Sequence, residues 1–324
     1  MRAVLCTSLD GPDGLTTGIL PDPVPGNGEV LVDIKAAGLN FADTLMVQGK
    51  YQEKPDLPFV PGLEAAGVVA AIGAGVTRVK PGDRVVALVD HGAFAEKAVA
   101  RERDVFPIVD AMDFETAAAF PVAYGTAHGG LVWRADLQPG EVLVVHGAAG
   151  GAGLAAVEVG KAMGATVIAT AGGPEKVQLA LDRGADHGID YRHEDVKERV
   201  RALTGGEGAD VYFDPVGGDV FDASIRAIRF GGRIVVIGFA AGRIPQVPVN
   251  LLLVKNIAVT GLYWGDHRRR HPDWMLEQFA ALNRWYAEGK LQPHISHRFA
   301  LDEAGEAMRT LLARKSTGKV VLVM

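Results

Sequence analysis

Residues 141–160 read EVLVVHGAAGGAGLAAVEVG, and this stretch decides the fold. An apolar run ends at His146, a glycine-rich turn follows, and the segment from Gly151 has the composition of a helix. A strand, a tight glycine turn and a helix in this order are typical of dinucleotide-binding motifs, in which the helix N-terminus faces a pyrophosphate. A plain tight turn would give the same short pattern, so the surrounding sequence has to distinguish the two interpretations.

The turn places small residues at each position of the dinucleotide-binding fingerprint. Ala148 occupies the first position, where the chain needs a tight turn that alanine can make. Gly150 occupies the second, where a missing side chain lets the backbone approach the pyrophosphate. Gly153 occupies the third, where a missing side chain lets the helix pack closely on the strand. The three residues therefore predict a dinucleotide site.

Strands and helices alternate strictly around this turn. Helices are predicted between successive strands, for example from Pro174, where proline suits the first helical position. Such strands should be almost continuously apolar when both faces of the sheet are covered, as VLVV and IVVI are. Six strands with helical crossovers predict an α/β fold with a doubly wound parallel sheet of the Rossmann type. The predicted strands are 141–146, 166–170, 187–190, 209–213, 233–238 and 257–262.

The two ends of the chain have a different texture. Residues 1–120 contain short strands separated by Gly- and Pro-rich turns, which predicts a mostly antiparallel β unit. Residues 263–324 contain two predicted helices and a final strand, and we infer that they return to the N-terminal unit. The sequence thus predicts a first unit at 1–120, a dinucleotide-binding domain at 121–262 and a returning segment at 263–324.

Composition narrows the function classes. The chain has 324 residues, a length that suits two domains, and its net charge of -6 argues against nucleic acid as the main partner. No run of 18 apolar residues and no signal-like N-terminus is present, so we expect a cytoplasmic protein. The one cysteine, Cys6, excludes an internal disulfide. It lies in an apolar run and is expected to be a small buried residue, with a reactive thiol as the alternative.

The end of the second predicted strand bears on which dinucleotide binds. NAD sites usually carry an acid there, which binds the ribose 2′-hydroxyl. Here the strand runs into Gly172 and Gly173 without an acid, and Lys176 follows on the next helix. A lysine can pair with a 2′-phosphate, and no carboxylate repels it, so NADPH is the expected cofactor. An ordinary surface lysine is the alternative interpretation of Lys176.

Short motifs distributed along the whole chain resemble those of the medium-chain dehydrogenase/reductase superfamily. Within it, the chain is similar to the zinc-free NADPH:quinone oxidoreductases related to zeta-crystallin. The motifs are AAGLNFAD (36–43), PGLEAAGVV (61–69), KPGDRV (80–85), YGTA (124–127), GAAGGAG (147–153), GADHGIDY (184–191) and TGKVVL (317–322).

The resemblance implies a particular domain arrangement and a particular set of cofactor contacts. It implies a GroES-like catalytic domain built from both ends of the chain, a central Rossmann domain, a cleft between them and a homodimer. It places Asn40 and Thr126 near the nicotinamide and Lys176 and Tyr191 at the adenosine phosphate. The cofactor contacts that it implies are Asn40, Thr126, Ala148, Gly150, Gly151, Ala152, Gly153, Gly172, Gly173, Lys176, Tyr191, Gly238, Phe239, Leu262 and Lys319.

The zinc ligands of related alcohol dehydrogenases are missing. The histidine beside the conserved glutamate is replaced by Leu63, which precedes Glu64, and the ligand cysteine near position 38 is absent. The cysteine-rich lobe that holds a structural zinc is also absent, since the chain has only one cysteine. A catalytic zinc needs about three protein ligands. The sequence therefore predicts no metal, and Glu64 is expected to be a buried structural acid.

A missing metal favours a conjugated substrate. A quinone or enone spreads the charge that arrives with a hydride to a remote oxygen, so hydrogen bonds suffice where an isolated ketone would need a Lewis acid. The resemblance implies Asn40, Asp43 and Tyr51 as the residues around this reaction. Asn40 would donate a hydrogen bond to the oxygen, Tyr51 would hydrogen-bond the acceptor or relay a proton, and Asp43 would orient its neighbours. Capping of the following short helix is the alternative role of Asn40 and Asp43.

Two other functions remain open at this point. A 2-enoyl thioester or enone reductase would use the same scaffold, with Tyr51 as the proton donor. The run His267–His271 could then hold a CoA phosphate, although a solvated loop is the simpler expectation for it. An NADPH-sensing, RNA-binding role is the other alternative, and the acidic composition argues against it.

Overall fold

The computed structural model describes residues 1–324 and contains fifteen strands and eleven α-helices. The strands are β1 (Arg2–Cys6), β2 (Leu15–Ile19), β3 (Glu29–Leu39), β4 (Glu64–Ile72), β5 (Arg84–Leu88), β6 (Lys97–Arg101), β7 (Val105–Pro107), β8 (Val142–His146), β9 (Thr166–Ala171), β10 (His187–Asp190), β11 (Ala209–Asp214), β12 (Ile228–Val236), β13 (Ala258–Gly261), β14 (Ile295–Ala300) and β15 (Lys319–Val323). The helices are α1 (Phe41–Met46), α2 (Phe114–Ala118), α3 (Pro121–His128), α4 (Gly151–Ala162), α5 (Pro174–Asp182), α6 (Val196–Leu203), α7 (Gly218–Ala227), α8 (Val249–Lys255), α9 (Trp264–Arg270), α10 (Pro272–Ala287) and α11 (Ala304–Leu312).

The chain forms two compact units. One consists of Met1–Val122 together with Pro293–Met324, and the other of Ala123–Gln292. We call the first the terminal unit and the second the central unit. None of the helices combines the length and the apolar character that a membrane span requires.

The central unit contains a six-stranded parallel sheet in the order β10-β9-β8-β11-β12-β13. This is the Rossmann order, in which the chain direction across the sheet reverses between β8 and β11. The inner strands are buried on both faces, and Val144, Ile168, Tyr212 and Ile234 form part of one apolar core. The predicted fold class and its six strands are confirmed.

The terminal unit is mostly antiparallel β. Its main sheet runs β14-β15-β3-β4-β5-β7, with β6 also paired to β3. The last strand, β15, pairs with β14 in parallel and with β3 antiparallel, in the register Val320↔Leu39. The C-terminal strand is therefore an inner strand of the same sheet as the N-terminal segment. Cys6 is completely buried in β1, as predicted.

The border between the units differs from the predicted border at 262/263. Residues 263–292 lie in the central unit because α9 and α10 pack on α3. The Trp264 indole donates to Gln278 (2.9 Å), and the Gln278 amide donates to the Gly125 carbonyl (3.0 Å). Met275 and Leu282 of α10 are fully buried. The returning segment begins only at Pro293.

Candidate functional site

The glycine-rich turn joins β8 to α4 in the central unit. Gly150 is the residue before the helix and has an extended backbone (φ -86°, ψ 173°), so α4 begins at Gly151. A Cβ atom on Gly153 would lie 2.2 Å from the carbonyl oxygen of Gly147, a separation that no side chain can accept. Gly153 is therefore required for close packing of the helix on the turn, which is the role predicted for it.

Gly150 has a different environment. A Cβ atom there would have only one neighbour within 4 Å, the carbonyl oxygen of Gly147 at 3.3 Å. Packing inside the protein therefore explains Gly153 but hardly explains Gly150. The space beside Gly150 lies at the N-terminus of α4, where the first amide groups have no acceptor inside the helix. A pyrophosphate fits this place because it needs both close approach to the backbone and N–H donors.

A second cluster follows β9 and β10. The Tyr191 hydroxyl lies 2.7 Å from the position of a Cβ atom on Gly172, so the tyrosine ring covers this glycine. The Gly173 amide donates to the Asp190 carboxylate (2.9 Å), which fixes the loop after β9 against the end of β10. Half-buried Lys176 is the third residue of α5. The structure therefore brings Gly172, Gly173 and Tyr191 together, as the resemblance implies.

Arg192, which the sequence analysis did not single out, lies beside this cluster. Its guanidinium Nη1 lies 3.3 Å from the position of a Cβ atom on Gly173. The side chain is exposed, and it belongs to none of the ion pairs of the structure. The Arg192 guanidinium therefore lies beside Gly173, where its charge also contributes to lowering the pKa of the Asp190 carboxyl group after the hydrogen bonds from backbone amides. Its position in the sequence could have indicated this, because a basic residue directly after Tyr191 lies just beyond the end of β10.

Residues after β12 and β13 lie at the same edge of the sheet as the glycine-rich turn. Gly238 and Phe239 follow β12, and Leu262 follows β13 and donates its amide to the Val236 carbonyl (3.0 Å). The carboxyl ends of parallel strands are where ligands bind in this fold. Leu262 is buried, whereas the Phe239 ring is 39% exposed. Thr126 is buried in α3.

The terminal unit holds a buried polar cluster at the junction of β3 and α1. Asn40 is the residue before α1, and its backbone amide donates to the Asp43 carboxylate (2.8 Å). This hydrogen bond is the predicted capping contact. Asp43 is fully buried, and loss of hydration raises the pKa of its carboxyl group to about 7. The Lys319 ammonium and hydrogen bonds from backbone amides oppose this rise.

Glu64 is the centre of the cluster. Its Oε1 accepts hydrogen bonds from Asn40 Nδ2 and Lys319 Nζ, each at 2.7 Å. Its Oε2 accepts from the Val122 amide, also at 2.7 Å. The side chain is completely buried, so Glu64 is the hydrogen-bonded structural acid that the sequence predicts.

Lys319 does not have the position expected of a cofactor contact. Its ammonium group donates to the Leu39 carbonyl (2.9 Å), to Asn40 Oδ1 (2.6 Å) and to Glu64 Oε1 (2.7 Å). An ammonium group has three N–H donors, so none is left for a cofactor. The Lys319 side chain is only 5% exposed. The sheet register explains the difference, because β15 pairs with β3 and delivers Lys319 to the end of β3.

The remaining predicted residues and the basic run have distinct surroundings. Tyr51 follows α1 and packs, half-buried, against the core of the terminal unit. The expected solvated loop at His267–His271 is wrong, because most of the run is helical in α9 and Arg268 is buried. Arg270 pairs with Asp266 (2.6 Å), which takes up one of the charges that an anion grip would use. His267 stacks on aromatic rings of the central unit.

The structure contains no group of three or more His, Cys, Asp or Glu side chains that could hold a metal ion. Gly38 stands at the position of the missing cysteine ligand. A Cβ atom on it would lie 2.2 Å from the Ala118 carbonyl oxygen, so this position has no room for a side chain. The nearest carboxylate, Glu64, is already paired with Lys319. The donor set of this cluster therefore does not suit zinc.

Both units match known families. Residues 26–110 match the alcohol dehydrogenase GroES-like domain, and residues 151–281 match the zinc-binding dehydrogenase family. The chain is 43% identical to quinone oxidoreductase-like protein 2 homolog of Nematostella vectensis, across 99% of this chain and 88% of the relative. It is 38% identical to quinone oxidoreductase of Pseudomonas aeruginosa across 99% of both chains. The chain belongs to the zinc-free quinone oxidoreductases of the medium-chain dehydrogenase/reductase superfamily.

A solved structure of another quinone oxidoreductase has the same fold. The Escherichia coli quinone oxidoreductase, determined in complex with NADPH, superposes with a TM-score of 0.94. The two chains are 31% identical, and the alignment covers 100% of each. The agreement extends over the Rossmann and GroES-like parts and supports the fold assignment for both units.

Proposed function

We propose that this protein is an NADPH-dependent quinone oxidoreductase that works without a metal ion. The observation that carries the proposal is the turn at 147–153, where Gly150 leaves open space at the N-terminus of α4. Gly150, Gly151, Ala152 and the closely packed Gly153 would hold the pyrophosphate. Membership of the quinone oxidoreductases and the NADPH complex of the Escherichia coli relative support both the cofactor and the acceptor class.

The choice of NADPH over NADH rests on the cluster after β9. Arg192 lies beside Gly173, Tyr191 places its hydroxyl beside Gly172, and Lys176 belongs to the first turn of the helix that follows Gly173. A 2′-phosphate gains charge-assisted hydrogen bonds from such a group, whereas a 2′-hydroxyl gains little. Oδ1 of the Asp190 carboxylate accepts from the backbone amides of Gly173 and Arg192. This oxygen therefore holds the loop after β9 in place.

The chemistry assigned to the protein is positioning and stabilisation of charge. NADPH, when bound, supplies the hydride. Asn40 would donate an N–H of its amide to the oxygen on which charge develops, and Tyr51 would hydrogen-bond the acceptor or relay a proton. Because the donor set of this cluster does not suit a Lewis-acidic zinc ion, an acceptor that delocalises the charge is favoured. A quinone meets this requirement.

We also propose a homodimer formed through the central unit. Strand β13 is an edge strand that pairs only with β12. Large apolar side chains are exposed nearby on α8, including Val249 (72%), Leu253 (78%) and Val254 (65%). An unpaired edge next to exposed apolar residues is favourable for association with a second copy. The cytoplasmic location stays a prediction.

A panel of acceptors tests the proposed activity. Oxidation of NADPH is followed by its absorbance with 1,4-benzoquinone, phenanthrenequinone and crotonyl-CoA, each in a separate reaction. We expect turnover with the quinones and little with crotonyl-CoA. Faster turnover with crotonyl-CoA would instead support an enoyl thioester reductase. Binding of NADPH without oxidation by any acceptor would contradict both activities.

A further inference from the structure

The Asn40 amide is held between two charged groups of opposite sign. Its oxygen Oδ1 accepts from the Lys319 ammonium (2.6 Å), and its nitrogen Nδ2 donates to Glu64 Oε1 (2.7 Å). Lys319 and Glu64 also bond each other (2.7 Å). The three side chains thus form a closed triangle of hydrogen bonds. All three are buried, with exposed fractions of 9% or less.

The chemistry of the two charged groups fixes the direction of the amide. An ammonium group only donates, and an ionised carboxylate only accepts. If the Asn40 amide turned over, its NH₂ would face Lys319 and its oxygen would face the Glu64 carboxylate. Both hydrogen bonds would be lost and both would be replaced by repulsive contacts. In a buried site this cost is not recovered from water.

The fixed direction decides what the amide offers to a substrate. The oxygen is used by Lys319, and one N–H is used by Glu64. The second N–H has only a 3.5 Å contact with the Gly38 carbonyl oxygen, at the long limit for a hydrogen bond. The amide therefore retains donor capacity and has lost its best acceptor position. Such a group suits a ligand atom with a lone pair, such as a carbonyl oxygen.

We propose that Lys319 is a positioning residue, which acts with Glu64 to keep the Asn40 amide turned as a hydrogen-bond donor toward the oxygen of the acceptor. This proposal rests on the proposed function, since it assigns a role in reduction of a carbonyl acceptor. It also replaces the role that the family resemblance implied for Lys319. Lys319 acts on the acceptor through Asn40 and makes no contact with the cofactor.

A double-mutant cycle tests the proposal. The proteins are wild type, Lys319→Met, Asn40→Ala and the combination of both, with Lys80→Met as a control. Lys80 forms an exposed pair with Asp83, so it matches the lysine change without the buried triangle. We expect Lys319→Met and Asn40→Ala each to lower kcat for a quinone by about 10- to 100-fold. The combination should lose no more than Asn40→Ala alone, because both changes remove the same hydrogen bond to the acceptor.

Cofactor affinity separates the two roles of Lys319. The NADPH dissociation constant, measured without acceptor, should be the same for wild type, Lys319→Met and Lys80→Met. A loss of NADPH affinity in Lys319→Met that Asn40→Ala does not show would mean that the lysine contacts the cofactor and would overturn the proposal. Losses of kcat that multiply in the combined variant would overturn it as well, because Lys319 would then act independently of Asn40.

A second variant addresses the case in which Lys319→Met does not fold because the buried Glu64 carboxylate has lost its ion-pair partner. Lys319→Met combined with Glu64→Gln removes both charges. The Val122 amide still requires an acceptor at residue 64, so the glutamine oxygen should stay there and its NH₂ should face Asn40. Asn40 must then present its oxygen to residue 64. We expect a folded protein that binds NADPH with the Asn40 amide inverted and kcat reduced at least as far as in Lys319→Met.

The amide direction can be read without turnover. In ¹⁵N-labelled protein, the Asn40 side-chain signals are those that Asn40→Ala removes. Wild type should show one amide proton shifted by its bond to the Glu64 carboxylate. Glu64→Gln alone removes this carboxylate but keeps Lys319 on the Asn40 oxygen, so it is the reference for the variant that combines Lys319→Met with Glu64→Gln, whose inverted amide should give different Asn40 side-chain signals. Asn40 signals that were the same in these two variants would overturn the proposal. If wild type bound NADPH but reduced no quinone, the proposed function would fail, and this measurement would still decide the role of Lys319.

Discussion

Replacing two glycines of one turn by alanine should separate cofactor binding from stability. Gly150 and Gly153 are three residues apart, but their surroundings differ. A Cβ atom on Gly153 would lie 2.2 Å from a backbone oxygen, against 3.4–4 Å for ordinary contact, so the helix must move by about 1.2 Å. A Cβ atom on Gly150 would lie at 3.3 Å from the same oxygen and needs a shift of only a few tenths of an ångström.

The expected magnitudes follow from these distances. Gly153→Ala should lower the free energy of unfolding by about 1–3 kcal/mol, with a fall of roughly 2–12 °C in Tm. Gly150→Ala should lower it by less than about 1 kcal/mol, mainly because alanine is a poorer residue before a helix. The added methyl group of Gly150→Ala occupies the space assigned to the pyrophosphate. It should therefore weaken NADPH binding by about tenfold or more, which is about 1.4 kcal/mol.

Thermal unfolding without cofactor and titration with NADPH measure the two effects in the same preparations. The control is Gly26→Ala, a glycine substitution outside the turn. Gly26 is preferred to its neighbour Gly28 because Gly28 has a positive φ (73°), which alanine adopts only with strain. It should leave NADPH affinity unchanged. If Gly150→Ala bound NADPH as wild type does, the space beside Gly150 would not be the pyrophosphate site, and the reasoning would be refuted.

Three further predictions concern cofactor choice, pH and assembly. Lys176→Ala and Arg192→Ala should each weaken NADPH binding by about tenfold and leave NADH binding unchanged in titrations, and equal losses for both cofactors would contradict the 2′-phosphate site. Burial raises the pKa of the Glu158 carboxyl from 4.5 to about 7, although the Tyr124 hydroxyl and the Gln292 amide donate to it. A carboxyl group with a raised pKa contributes stability that is lost as pH rises from 4.5 through 7. The free energy of unfolding of Glu158→Gln, measured with denaturant, should therefore rise relative to that of wild type by up to about 3 kcal/mol between pH 5 and pH 8. A difference that does not depend on pH would contradict this. Leu253→Asp should halve the mass measured by light scattering, because it places a charge on the proposed dimer surface. Ile19 is equally exposed but lies in the terminal unit, so Ile19→Asp should leave the mass unchanged. A wild-type protein with the mass of a monomer would exclude the dimer.

The central sheet could be predicted because its signals are local. Strands such as β8 are continuously apolar, and each is followed by a turn and a helix, so alternation alone indicates a parallel sheet. The packing role of Gly153 also follows from its place in the motif. The place of α10 could not be predicted, because its apolar pattern shows that one face is buried but not that Gln278 bonds Gly125.

The residues missed or misplaced depend on contacts that are distant in sequence. Lys319 and Asn40 are 279 positions apart, and only the pairing of β15 with β3 brings them together. Arg192 approaches Gly173 because two strands end side by side. The charged letters of the run 267–271 suggested a loop, whereas His267 and Arg268 are held by aromatic and buried contacts that a sequence pattern does not encode.

The central claim is that this chain transfers a hydride from NADPH to a quinone without a bound metal. The most direct measurement is the rate of NADPH oxidation by 1,4-benzoquinone in protein that has been treated with a strong chelator and shown by elemental analysis to lack zinc. We predict the same rate before and after this treatment. Activity that disappears with the metal and returns with added zinc would contradict the account.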